Sequence, residues 1–136
     1  MDKKIYRIID ANLNRSREGL RIVEDFARFY LNDKNLSANI KRIRHRISKI
    51  AMENLEQDEL LKCRDSQKDV GAKGMKGLEK KRVNIKQIVR ANLIRAQEGL
   101  RVLEELSKLV NSKAGEKFKN LRFRVYSLEK KIVMKL

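Results

Sequence analysis

Residues 9–31 read IDANLNRSREGLRIVEDFARFYL, and residues 89–110 read VRANLIRAQEGLRVLEELSKLV. At an offset of 80 residues the chain repeats Ala11-Asn12-Leu13, Arg15, Glu18-Gly19-Leu20-Arg21 and Glu24 as Ala91-Asn92-Leu93, Arg95, Glu98-Gly99-Leu100-Arg101 and Glu104. The apolar positions repeat with them, Ile22 as Val102, Val23 as Leu103 and Phe26 as Leu106. A whole helical face recurs, polar interruptions included.

Apolar residues spaced by three and four predict one amphipathic helix from Lys3 to about Leu31, stopped by Asn32 and Asp33. A second helix starts at Asp33 or Ser37, either of which can cap it. It carries Ile40, Ile43, Ile47, Ile50 and Ala51 on one stripe and fades by Glu56. After a short helical turn at Asp58 to Lys62, a long, partly mobile loop is expected from Arg64 to Arg82, where glycines replace the apolar period. The third helix begins after Asn84 and runs to about Val110; Asn111 and Ser112 break it, and a fourth runs to the C-terminus. IKRIRHRI at 40–47 aligns with FKNLRFRV at 118–125, pairing Arg44 with Arg122 and Arg46 with Arg124. The repeated unit is therefore a helical hairpin. Two hairpins with one apolar stripe each bury those stripes best against each other. The predicted fold is all-α: a single domain over 1–136, a pseudo-twofold four-helix bundle with repeat 1 at about 3–56, a linking loop at about 57–83 and repeat 2 at about 84–136.

Composition agrees. The 136 residues are 41% hydrophobic, enough to fill one core, and contain neither proline nor tryptophan. Lys and Arg outnumber Asp and Glu by 34 to 18, so a formal charge of +16 calls for an anionic partner: phosphate esters, nucleic acid or a membrane surface. Cys63 is the single cysteine, which excludes an intramolecular disulfide and a Cys-cluster metal site and fits a reducing cytoplasm. No signal peptide and no bilayer-spanning run are recognisable, so no membrane partner is expected.

Several polar residues lie on the apolar side. At about 100° per residue the first stripe centres near Ser16, Val23 and Tyr30, with Asn12 and Gly19 inside it and Arg15 on its edge. Asn92, Arg95 and Gly99 repeat this, and Arg44 and Arg122 fall between apolar neighbours of their own helices. Buried guanidinium and carboxamide groups must be satisfied. Two readings stand side by side: internal ion pairs with Glu18, Glu24, Glu98 and Glu104, or an anion site in the bundle core held by fork-shaped guanidiniums. Gly19 and Gly99, costing about 1 kcal/mol each inside a helix, require close approach of a helix or a ligand.

The loop holds Arg64, Asp65, Asp69, Val70 and Gly71, a set that suits a phosphate-closing lid with a Mg²⁺ ligand, or an ordinary solvated charged loop. It lacks the P-loop spacing, since Lys76 stands where the second glycine belongs. His45 projects away from its stripe and reads as a surface residue. Cys63 reads as a bystander, the run Lys80 to Arg82 as solvated surface, and Tyr6, Tyr30 and Tyr126 form no stacking platform.

The motifs IDANLNRSREGLRIVEDFARF, RHRIS, RDSQKDVG, ANLIRAQEGLRVLEELSKL and LRFRVYSLEK, in that order, resemble the alternative hydroxymethylpyrimidine-phosphate kinase family. This is a small all-helical domain often fused to the N-terminus of thiamine-phosphate synthase. The likeness covers almost the whole chain and implies the standalone form, with a functional link to the synthase. It implies transfer of the γ-phosphoryl group of ATP to 4-amino-5-hydroxymethyl-2-methylpyrimidine phosphate. Its motif positions fall on Asp10, Asn12, Arg15, Glu18, Arg21, Arg44, His45, Arg64, Asp65, Asp69, Gly71, Asn92, Arg95, Glu98, Arg101 and Arg122, and the match at His45 weighs against the surface reading of that residue.

The chemistry of phosphoryl transfer assigns the roles: cations around the phosphates, a bridging metal and an in-line acceptor. Arg15, Arg44, Arg95 and Arg122 are expected on phosphates, with Arg21, Arg64 and Arg101 beside them. Asp65 or Asp69 is expected on Mg²⁺, Asp10 and Glu18 in catalysis, and Asn12 and Asn92 on a base edge. Two other classes compete. A basic nucleic-acid-binding module would follow from a pI near 10.2 but needs outward-facing arginines. A small Arg-lined enzyme of the chorismate mutase type has only the fold class in its favour. Nucleic acid ranks second to small phosphate esters, and self-association is left open.

Overall fold

The computed structural model describes residues 2–73 and 82–136 together with Lys81. The part of the linking loop that carries Gly74, Gly77 and Lys80 lies outside the described residues. Helix α1 spans Lys3–Asp25 and passes into a π-helical turn at Phe26–Tyr30. Helix α2 spans Lys34–Asn54, α3 Gln57–Lys62, α4 Ile85–Ser107 and α5 Ser112–Val133. Every long helix starts at a side-chain cap: Asp2 accepts from Lys4 N, Asp33 from Leu36 N, Asn84 from Gln87 N and Asn111 from Lys113 N. Replacing Asn84 by alanine removes the acceptor at the start of α4. The expected loss is about 1 kcal/mol, measured as a lowered midpoint in urea unfolding with unchanged slope.

The repeated helices α1 and α4 form the most extensive interface, α2 packs on α1, α5 on α4, and α2 on α5. The order around the bundle is thus α1-α2-α5-α4, which is two hairpins closed on each other. Gly19 of α1 lies over Asn92 and Ala96, and Gly99 of α4 lies over Asn12 and Ser16, so α1 and α4 run antiparallel and cross at their glycines. The close approach demanded by those two residues is therefore made by a helix. Ser16 Oγ donates to the Ala96 carbonyl at 3.4 Å across the same crossing.

The interior is apolar: Ile9, Leu13, Leu20, Ile40, Ile47, Ile50, Leu93, Leu100, Leu103, Phe118 and Ile132 are all buried. At about 1.5–3 kcal/mol per buried large aliphatic side chain, this layer is what holds the hairpins together. The core anion site is accordingly corrected. Arg44 and Arg122 are mostly buried at the edge of the core, where they pair with Glu24 and Glu104, and Arg15 and Arg95 are exposed. Among the described residues no helix is long and apolar enough to cross a membrane.

Candidate active site

The polar edge of α1 begins with Asp10. It sits one turn ahead of Leu13 and flanks the apolar stripe, so its backbone is fixed by the packing of Ile9 and Leu13 while its carboxylate reaches the rim. Arg64, the first residue after α3 and its C-terminal turn, returns to that rim and donates from Nε to Asp10 Oδ2 at 2.7 Å and from NH2 to Asp10 Oδ1 at 2.8 Å. This is a two-pronged guanidinium–carboxylate bond in which the carboxylate is almost wholly buried. The bond to Asp10 holds the Arg64 guanidinium above its ordinary pKa. One turn earlier on α1, Arg7 NH2 donates to the Asp65 carbonyl at 2.8 Å. Two contacts from one helix thus fasten the start of the loop.

Beyond Arg64 the loop closes on itself. Asp65 Oδ1 accepts from Lys68 N at 3.2 Å, and Asp69 Oδ1 accepts from Gly71 N at 2.9 Å. Among the described residues, these turns leave the second oxygen of each carboxylate free of a protein donor. Between the loop and α1 lies a cleft of about 510 Å³ lined by Arg7, Asp10, Asn12, Asn14, Arg15, Arg64, Asp65, Lys68 and Asp69 among others. Asn12 gives its Nδ2 to the Ile8 carbonyl at 2.9 Å, and its Oδ1 is reached by Arg15 NH1 at only 3.5 Å, a weak bond that leaves an acceptor available.

Six of the expected residues, Asp10, Asn12, Arg15, Arg64, Asp65 and Asp69, are therefore brought to one cleft, and Gly71 ends the turn beside it. The others stand elsewhere. Arg21 and Arg101 are exposed and pair within their helices, Arg21 with Glu24 and Asp25 and Arg101 with Glu104 and Glu105. Asn92 repeats the back-bond of Asn12, donating to the Ile88 carbonyl at 2.8 Å. Glu18, His45, Arg95 and Glu98 are exposed away from the cleft, His45 on the outer face of α2. Lys4, Arg7, Asn14, Ser66 and Lys68 join the cleft without having been expected there. The readable signal for Arg7 and Asn14 was their spacing of three and four residues from Asp10, which puts all three on one helical edge.

Fit to a metal can be judged from the donors. Among the described residues no three His, Cys, Asp or Glu side chains converge, so a resident metal cage is not built. A Mg²⁺ held by one or two carboxylates with the rest of its sphere from phosphate oxygens and water is a different demand, and the free oxygens of Asp65 and Asp69 meet it.

Fold and cleft together define a class of protein: a duplicated helical hairpin whose unduplicated loop closes a polar cleft over the first repeated helix. Comparison with known proteins narrows that class. A model of the ThiD2 family matches residues 7–131. The chain is 41% identical over 129 residues to a thiamine-phosphate synthase of Nostoc punctiforme, covering 95% of this chain and 35% of that protein. It is 44% identical over 125 residues to a thiamine-phosphate synthase of Synechocystis, covering 92% and 35%, and 34% identical over 134 residues to one of Rhodopirellula baltica, covering 98% and 36%. The chain spans about a third of the length of the curated relatives it matches. No solved structure matches it significantly. The chain belongs to the ThiD2 family.

Proposed function

We propose that this protein acts in thiamine biosynthesis as a kinase that transfers the γ-phosphoryl group of ATP to 4-amino-5-hydroxymethyl-2-methylpyrimidine phosphate, giving the diphosphate. Family membership and relatives named thiamine-phosphate synthase support the pathway. The observation that carries the reaction is the cleft closed by Arg64 on Asp10, because it gathers guanidinium, ammonium and carboxylate groups beside a fastened loop.

In the transfer an oxygen of the acceptor monophosphate bonds to the γ-phosphorus, the bond from that phosphorus to the β,γ-bridging oxygen breaks, and ADP leaves with the electron pair. The acceptor oxygen carries no proton above its second pKa of about 6, so the protein needs no general base. What it must supply is position and charge. Arg7, Arg15 and Lys68 line the cleft with cations for the phosphates, and Asn12 Oδ1 can accept from the exocyclic amine of the pyrimidine. Asp10 acts as a positioning residue by holding Arg64 and hence the loop. Mg²⁺, held by Asp65 and Asp69 together with the nucleotide, supplies charge neutralisation when bound.

The test is incubation with ATP, Mg²⁺ and the pyrimidine monophosphate, followed by ³¹P detection of a new diphosphate. Product formation is expected, and its absence beside a working kinase of another family sinks the proposal. A second expectation follows from the chemistry of the acceptor. Because the acceptor phosphate takes up a proton below about pH 6 and the dianion is its nucleophilic form, kcat/KM should fall roughly tenfold per pH unit there. A profile that stays flat down to pH 5 would contradict attack by the unprotonated phosphate.

A further inference from the structure

The internal repeat allows the two hairpins to be compared, and they treat the same guanidinium differently. In the second hairpin Arg122 is fully engaged. Its Nε donates to Glu104 Oε2 at 3.1 Å, its NH2 lies 3.0 Å from the same oxygen, and its NH1 donates to the Tyr126 hydroxyl at 2.9 Å. Its plane also lies over the Phe123 ring, 5.1 Å from the centroid. In the first hairpin Arg44 spends only NH2, on the two oxygens of Glu24 at 3.3 and 3.1 Å. Among the described residues its buried Nε–H has no acceptor, and both hydrogen bonds of its guanidinium leave from NH2. The sequence explains the difference. Tyr126 aligns with Ser48, whose hydroxyl accepts from Arg17 instead, and Phe123 aligns with His45, which is exposed.

Arg44 lines an open cleft of about 430 Å³ between the end of α1 and the start of α2, together with Arg21, Arg28, Lys34 and Lys41. Both carboxylates of this cleft are already committed. Glu24 pairs with Arg21 and Arg44, and Asp33 pairs with Lys135 while capping α2. Arg28 lies over the Phe29 ring, and Lys34 and Lys41 make no ion pair among the described residues. The cleft therefore holds several uncompensated cations around a guanidinium whose donors are partly unused.

We infer that this cleft is a second anion site, built to take the phosphate or diphosphate group of a small phosphorylated molecule on Arg44, with Lys41 and Arg28 balancing the charge. It is separate from the transfer cleft. Glu24 and Asp10 stand about four turns apart on α1, roughly 21 Å, so a phosphate held at Arg44 is out of reach of one held beside Arg64 in the same chain. The site goes beyond the kinase reading and does not depend on it, since binding can be measured without turnover.

The probe is inorganic pyrophosphate without Mg²⁺, titrated into the full chain by calorimetry and followed in ¹H–¹⁵N spectra. Saturable binding is expected to move the amides of residues 28–44, and Lys41→Glu is expected to weaken it at least tenfold. Arg44→Met should do the same, but it also leaves Glu24 short of its partner and is read only if it folds. Lys113→Glu makes the same change in net charge at the start of α5, where Asn111 bonds Asn54 at the far end of α2 from the cleft, and should leave affinity within twofold. Perturbations confined to residues 7–15 and 64–70, an unaffected Lys41→Glu variant, or equal losses in Lys41→Glu and Lys113→Glu would each overturn the inference.

Discussion

Replacing Arg64 by alanine is expected to lower kcat/KM for phosphoryl transfer about 100-fold while leaving the four long helices folded. The magnitude is that of reactants misplaced by about an ångström, since Arg64 fastens the loop that carries Asp65, Lys68 and Asp69. After its removal the bond from Arg7 to the Asp65 carbonyl is the one side-chain tether left between α1 and the loop among the described residues. Asp10→Asn distinguishes the two roles Arg64 could play. If Arg64 is a latch, the amide loses the paired acceptor and the variant falls about as far as Arg64→Ala, with the double variant little worse than either single, because two halves of one bond fail together. If Arg64 instead binds a phosphate directly, freeing it from Asp10 leaves activity intact or raised. Arg64→Lys restores the charge but not the fork, and should recover only part of the loss. Single variants that both stay within threefold of the parent would remove the latch from the mechanism. Thermal midpoints belong beside the kinetics: Asp10 is nearly buried, so the loss of its partner also costs stability, whereas the Arg64 side chain is 43% exposed and the pair is partly screened by water.

The bundle was legible because its determinants are local and written twice. The apolar stripe, the caps Asp33 and Asn84, the break at Asn111 and the short helix before Arg64 follow from spacing and side-chain chemistry, and each is present, with Asn111 also capping α5. The first helix departs only at its end, where Phe26–Tyr30 relaxes into a π-helical turn before the left-handed Asn32. No periodicity signals that widening. The site was less legible for a reason the repeat itself supplies. A search for polar oddities shared by both copies selects what the scaffold shares: the Asn12 and Asn92 back-bonds, the glycine crossing, and the Arg–Glu–Arg groups of Arg21, Glu24 and Arg44 and of Arg101, Glu104 and Arg122. The back-bonds stay within their own helices, and the glycines and the Arg–Glu–Arg groups secure helices to one another.

What distinguishes the two ends lies at positions that differ. Asp10 corresponds to Arg90, Arg7 to Gln87 and Asn14 to Ile94. The first copy can receive Arg64 because its α1 edge carries a carboxylate. The second copy has a cation there and leaves Arg82, Lys86 and Arg90 around a basic groove. Divergence at one helical edge, rather than identity along the stripe, is thus the better guide to where a duplicated bundle becomes asymmetric. The same logic separates Arg44 from Arg122, whose neighbours Ser48 and Tyr126 differ although the arginines do not.

Gly19→Ala tests the crossing on which this symmetry rests, and the expected result is a loss of about 2 kcal/mol despite the better helix former. Alanine in place of a mid-helix glycine gains about 1 kcal/mol in propensity. Against this, a Cβ on Gly19 would stand 2.7 Å from the Asn92 carbonyl oxygen, and a carbonyl inside α4 cannot turn aside without breaking its own helix. The two helices must move apart, and overpacking of this kind costs about 1–3 kcal/mol before any opened contacts are counted. Gly99→Ala meets a different obstacle. Its Cβ would overlap Ser16 Oγ, while the nearest backbone atom, Asn12 O, lies at 3.2 Å. Removing the hydroxyl should therefore rescue it: Ser16→Ala/Gly99→Ala loses the long bond to Ala96, worth about 0.5–1 kcal/mol, regains the propensity, and should unfold near the parent midpoint. No side-chain deletion rescues Gly19→Ala, because what stands in its way is main chain. Denaturant midpoints of the three variants decide the matter, and a stabilised Gly19→Ala would show that α1 and α4 do not cross at these glycines.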